Sequence, residues 1–203
     1  SDDPSAEIIY TTDGSIPDTG NINGTIYRYK NQYIQNPGNV GGPFLYDTFR
    51  SVIYTSPLAI NDATTNPNRL RLKSPTFDNV PYYFPATPVN KGTVVRAIAV
   101  KDGYIPSDLN TATYFVTADG KNKYTLPVIS LAMPEYQLYS WDSGVYNAGT
   151  DFETWRAANP TISVRCGEPA NYFRNTEFPI SFEMFTANNT TRELQTNAGW
   201  TIN

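Results

Sequence analysis

The chain has 203 residues and no histidine, which excludes Ser-His-Asp and Cys-His catalysis, His-ligated metals and any imidazole acid or base. Net charge is -4, the pI is about 4.8, and only 17% of residues are charged, so no cationic face for nucleic acid is expected. Twenty Asn, twenty-four Thr and fifteen Tyr, set against few Lys and Glu, favour strands and turns over helices. One Cys, Cys166, cannot close an internal disulfide and is read as a small apolar packing residue. No apolar run approaches the ~20 residues of a membrane span.

In chain order, Glu7–Thr12 is the first strand, ended by the turn Asp13-Gly14-Ser15-Ile16-Pro17. Residues 18–50 lack periodicity. Their interleaved aromatics suggest a packed lid rather than a free loop. Ser51–Ile60 reads as a second strand near an edge, because Pro57 interrupts pairing. Residues 61–90 form a Pro-rich insertion. Thr93–Lys101 is the strongest strand, with Val94, Ile98 and Val100 on one face and Val95, Ala97 and Ala99 on the other, the pattern of a strand covered on both sides. After the Asp102-Gly103 turn, Thr111–Thr117 returns beside it.

These elements predict a mainly β chain, with an immunoglobulin-like β-sandwich carrying long loop insertions over 1–118 and a linker at 119–124. Residues 125–203 follow as an incomplete α+β segment. It opens on the strand Leu126–Leu131, with helical turns at Pro134–Tyr139 and Asp151–Ala158. Strands at Pro179–Phe185 and Leu194–Asn203 close it. Trp141 and Trp155 are expected in its local core. Trp200 is expected to pack against a continuation of the chain.

The residues Ile9–Pro17, Val94–Lys101 and Asp102–Ser107 resemble the chitobiase/β-hexosaminidase C-terminal-type module. That resemblance implies an immunoglobulin-like sandwich appended to a secreted bacterial protein. Leu126–Leu131, Ser143–Gly149, Pro179–Phe185 and Asn197–Gly199 resemble the start of the CotH kinase family in its secreted Bacteroidetes form. Where that family reads arginine and histidine, this chain has Thr201 and Asn203, and the nucleotide- and metal-binding part falls beyond it. No residue is therefore given a catalytic or cofactor role. ATP and Mg²⁺ would belong only to a complete kinase domain.

Several local features have competing readings. Asp13, Ser15 and Asp18 gather oxygen ligands suited to Ca²⁺, and the same residues suit ordinary Asx turns. Tyr27, Tyr29, Tyr33, Tyr82 and Tyr83 could stack sugar rings as a glycan platform, or pack the insertions down. Tyr46 and Phe84 belong to the same aromatic set. Lys101 sits at a hairpin end without a Gly-rich loop before it, so it is read as structural rather than as an ATP lysine. Asn23-Gly24-Thr25, Asn188-Asn189-Thr190 and Asn189-Thr190-Thr191 match the glycosylation triplet.

The expected function is a non-catalytic structural or interaction module of a secreted or surface-attached bacterial CotH-family protein. One alternative is the accessory region and first strands of an atypical secreted protein kinase; another is a carbohydrate-binding module. The expected partners are other surface or secreted proteins or glycans. The resemblance implies export, with the type IX route as the candidate.

Overall fold

The computed structural model describes residues 3–73, 87–120, 123–165, 167–187 and 191–202. Tyr82, Tyr83, Phe84, Cys166, Asn188–Thr190 and Asn203 lie outside the described residues. The chain is mainly β.

Strand β1 (Glu7–Thr11) is followed by β2 (Thr25–Tyr29), β3 (Leu45–Phe49) and the short β4 (Val52–Ile53). Helix α1 spans Arg69–Lys73. The long strand β5 (Thr93–Val100) pairs with β6 (Asn110–Tyr114). After 119–124 come β7 (Val128–Ala132), α2 (Glu135–Tyr139), α3 (Gly149–Ala158), β8 (Phe178–Phe185) and β9 (Arg192–Trp200). The strands form an antiparallel sheet ordered β4-β1-β5-β6, a β2-β3 hairpin, and a sheet ordered β7-β8-β9.

The register of the four-stranded sheet sorts its side chains. Thr11 pairs with Arg96 and Arg96 with Thr111, so these three share a face with Ile9, Ile98, Val94 and Thr113. That face packs on β8 and β9. Phe115 meets Phe185 edge-on at 5.3 Å, and the polar side chains of the two sheets bond across the gap. The sandwich therefore draws one layer from each side of 119–124. The other face carries Tyr10, Val52 and Thr93. On the far side of the second sheet, Ile129, Leu131 and Leu194 are each about half exposed.

A second core forms around Tyr33, Ala148, Phe152 and Ala170, with Trp141, Trp155, Val164 and Tyr172 against it. Helix α3 turns Gly149, Phe152 and Arg156 inward, three or four residues apart, as helical spacing requires. Asp151 stands in its first turn and Arg156 in its last, where the helix dipole favours each sign. Asn171 Oδ1 accepts from Asp151 N at 3.2 Å and from Thr150 Oγ1 at 3.2 Å, closing the helix start.

Three sequence expectations changed shape. The strand expected at Ser51–Ile60 forms only at Val52–Ile53, with Tyr54 N donating to Ile8 O at 2.8 Å, and the chain leaves the sheet before Pro57. The aperiodic stretch 18–50 contains the β2-β3 hairpin. Its connection, from residue 30 to 44, is too long to carry a tight-turn signal. Arg96 lies on a face that reads as apolar from its neighbours Val94 and Ile98.

Candidate functional site

The two faces of the four-stranded sheet carry the polar chemistry of the first segment, arranged in opposite ways. On the inner face Arg96 is 2% exposed. Its Nη1 donates to Gly14 O at 2.8 Å, Nη2 to Ser181 Oγ at 3.1 Å and Nε to Thr111 Oγ1 at 3.4 Å. Thr111 Oγ1 donates to Ser181 Oγ at 3.0 Å, and Ser181 Oγ to Asn197 Oδ1 at 3.1 Å. Each hydroxyl thus passes on its single proton in one direction.

A second chain of bonds centres on Glu183, which is fully buried. Its Oε2 accepts from Thr113 Oγ1 at 2.5 Å and its Oε1 from Arg192 Nη1 at 2.9 Å. Thr113 Oγ1 also lies 2.7 Å from Ser130 Oγ. Gln195 Nε2 donates to Thr111 O at 2.7 Å. Burying charges is unfavourable unless they are hydrogen-bonded, and here each guanidinium nitrogen of Arg96 and both carboxylate oxygens of Glu183 have a bonding partner. Burial pulls the Arg96 guanidinium below its usual pKa.

Further contacts cross between the segments. The buried Lys73 ammonium pairs with Asp47, lies 2.8 Å from Glu135 and donates to Tyr27 Oη at 2.6 Å. Arg69 pairs with Glu135 as well. Burial, reinforced by the Glu135 and Asp47 charges, raises the Tyr27 phenol pKa. Phe49 stacks on Tyr136 at 4.3 Å. Arg28 pairs with Asp142 at 2.8 Å and lies 4.4 Å over the Trp141 ring. Lys30 pairs with Glu153 at 2.5 Å.

These contacts show where the residues considered for a glycan platform lie. Tyr27 and Tyr29 are neighbours at 6.2 Å, on the hairpin face that holds Lys73. Tyr33 is separate and 1% exposed, edge-on to Phe152 at 5.7 Å, with its hydroxyl on Asn147 and accepting from Gly149 N at 3.1 Å. Tyr82 and Tyr83 lie outside the described residues. Tyr46, by contrast, is 65% exposed.

The three residues considered for Ca²⁺ are held by local bonds. Asp13 Oδ1 accepts from Ser15 N at 2.9 Å and Ser15 Oγ at 2.5 Å, and Asp13 Oδ2 from Arg50 N at 3.3 Å. Asp18 Oδ1 accepts from Gly20 N at 2.8 Å, capping a 3₁₀ turn at Thr19–Asn21. Among the described residues, no three acidic or thiol side chains converge as metal ligands would.

On the outer face, the sheet and residues 58–66 enclose a groove of about 870 Å³. Tyr10, Thr12, Thr48, Val52 and Thr93 line one side, and Leu58 to Ala63 with Asn66 the other. Asp13 and Arg50 close one end. Sequence reasoning missed this groove, because its walls lie far apart in the chain and become neighbours only when β4 pairs with β1.

The family model described as Fn3 associated matches residues 1–114, more than half of the chain. The chain belongs to the Fn3-associated family. The match ends at Tyr114, the last residue of β6, and supports a non-catalytic, extracellular-type module in general. No curated protein and no solved structure matches the chain. No helix among the described residues is long and apolar enough to cross a membrane.

Proposed function

We propose that this chain is the structural and interaction module of a secreted or surface-attached bacterial protein of the CotH type, in which the Fn3-associated part grips and orients the segment after it. The observation that carries this reading is the seam. The inner sheet face of the family module spends Arg96, Thr111 and Thr113 on Ser181 and Glu183 of β8. Such a module holds its neighbour at a fixed angle, as a spacer or an adhesive element requires.

The reading predicts that both segments unfold together. All three Trp residues (Trp141, Trp155, Trp200) lie after the 119–124 stretch, with Trp141 also packed on Phe44 and Arg28, so their fluorescence reports the second segment and its contact with the first, while amide exchange of β1 and β5 reports the family module. Coincident urea midpoints are expected. Two separated transitions would overturn the clamp. The kinase alternative makes a different demand: phosphate transfer from labelled ATP by the full-length parent would favour it.

A further inference from the structure

The outer groove has no part in the clamp, since it lies on the other face of the sheet. Its polar groups are in a different state from those of the seam. The Arg50 guanidinium is exposed and, among the described residues, makes no ion pair or hydrogen bond. The same holds for the Tyr10 hydroxyl, the side-chain amides of Asn61 and Asn66, and the hydroxyls of Thr12 and Thr93. The buried seam is hydrogen-bonded across the two sheets, whereas in the groove behind it only Asp13 and Asp62, among its described polar side chains, already accept bonds.

Charge narrows the ligand class. Two carboxylates, Asp13 and Asp62, stand against the single guanidinium of Arg50, so the groove carries a net charge of about -1 at neutral pH. Asp62 is held ionised by its bonds from the Thr64 hydroxyl and amide, which lower its pKa. Such a groove repels anionic ligands. Planar carboxylate, amide and guanidinium groups can each bridge adjacent hydroxyls, accepting from one or donating to the other. Tyr10 adds an amphipathic ring, steadied edge-on by Tyr54 at 6.4 Å, and Val52, Leu58 and Ile60 add apolar wall for C–H faces.

We propose that this groove is a binding site for a neutral oligosaccharide, with Arg50, Asp13 and Asn61 taking its hydroxyl groups and Tyr10 its apolar face. The site is distinct from the insertion tyrosines Tyr27, Tyr29 and Tyr33. It stands independently of the clamp.

Titration calorimetry of the whole chain against neutral tetrasaccharides built from glucose, xylose or N-acetylglucosamine tests the site, with a tetragalacturonate as the anionic control. At least one neutral tetramer is expected to bind. Arg50→Ala and Asn61→Ala should each weaken that binding, Arg50→Ala by roughly tenfold, with the thermal midpoint unchanged because both side chains are exposed. The anionic tetramer should bind more weakly than the neutral ones. Heat signals that are blank for every neutral tetramer would overturn the site, as would affinity unaltered in both variants or tighter binding of the tetragalacturonate. Coincident unfolding with blank titrations would leave the clamp standing and remove only the groove.

Discussion

The two faces of the four-stranded sheet are built from the same residue types and used in opposite ways. Inside, Arg96, Thr111 and Thr113 are buried and hydrogen-bonded, so their polarity contributes geometry: their bonds to Ser181 and Glu183 fix where β8 sits. Outside, the side chains of Arg50, Thr12 and Thr93 line the groove and, among the described residues, make no hydrogen bond or ion pair. Whether a polar side chain holds a fold together or receives a ligand is decided here by what stands opposite it. Residue type alone does not separate the two roles.

The sharpest way to break the comparison is to remove matching residues from each face. Arg96→Ala leaves Gly14 O and Thr111 Oγ1 without the guanidinium donor in a buried site, and leaves Ser181 with Thr111 as its remaining donor. A loss of about 1–3 kcal/mol is expected in urea unfolding. Arg50→Ala on the outer face should move the same measurement by less than about 0.5 kcal/mol. Equal effects at the two positions would show that the faces do not differ as described.

Gly14 tests the close approach of the segments. It has φ +80°, and a Cβ there would stand 2.5 Å from Met133 O. Gly14→Ala should lose about 1–3 kcal/mol from backbone strain, with the clash adding to it. A shift in the Trp emission of the second segment should accompany the loss.

Alkali supplies a gentler probe of the clamp. Burial raises the Tyr139 phenol to about 12, and raises Tyr27 and Tyr33 as well. In the unfolded chain these phenols ionise near pH 10, so between pH 10 and 12 the folded form binds more protons and stability falls as pH rises. The contribution is fully present below pH 10. By pH 11 the loss from Tyr139 alone is on the order of 1 kcal/mol, visible as a falling urea midpoint. Tyr139→Phe should flatten that slope.

Much of the fold was legible in sequence where a single local rule governs it. The β-branched run at Thr93–Val100 announced β5, and the Asp102-Gly103 turn announced its return. Asn159 and Pro160 marked the end of α3. The β2-β3 hairpin escaped notice because its strands mix Tyr, Thr and Arg on both faces, with no alternation to detect. The burial of Arg96 was equally hidden, since it depends on Ser181 and Gly14, eighty-five and eighty-two positions away. Tyr33 had two readings in sequence, a ring that stacks sugar or one that packs the insertion down. Its partners Phe152 and Asn147 lie in the second segment, and no local pattern connects them. The groove was invisible for a related reason: β4 is only two residues long, and the loop after it becomes a wall rather than a strand.

The Asp13-Gly14 turn belongs to both faces. The Asp13 side chain lines the groove, and one residue later the Gly14 carbonyl accepts from Arg96 while the Gly14 α-carbon faces Met133 O. A ligand that draws on Asp13 therefore pulls at the carbonyl that anchors the seam. Asp13 and Gly14 share one peptide bond, so the position of this groove wall is set by the same turn that meets Arg96.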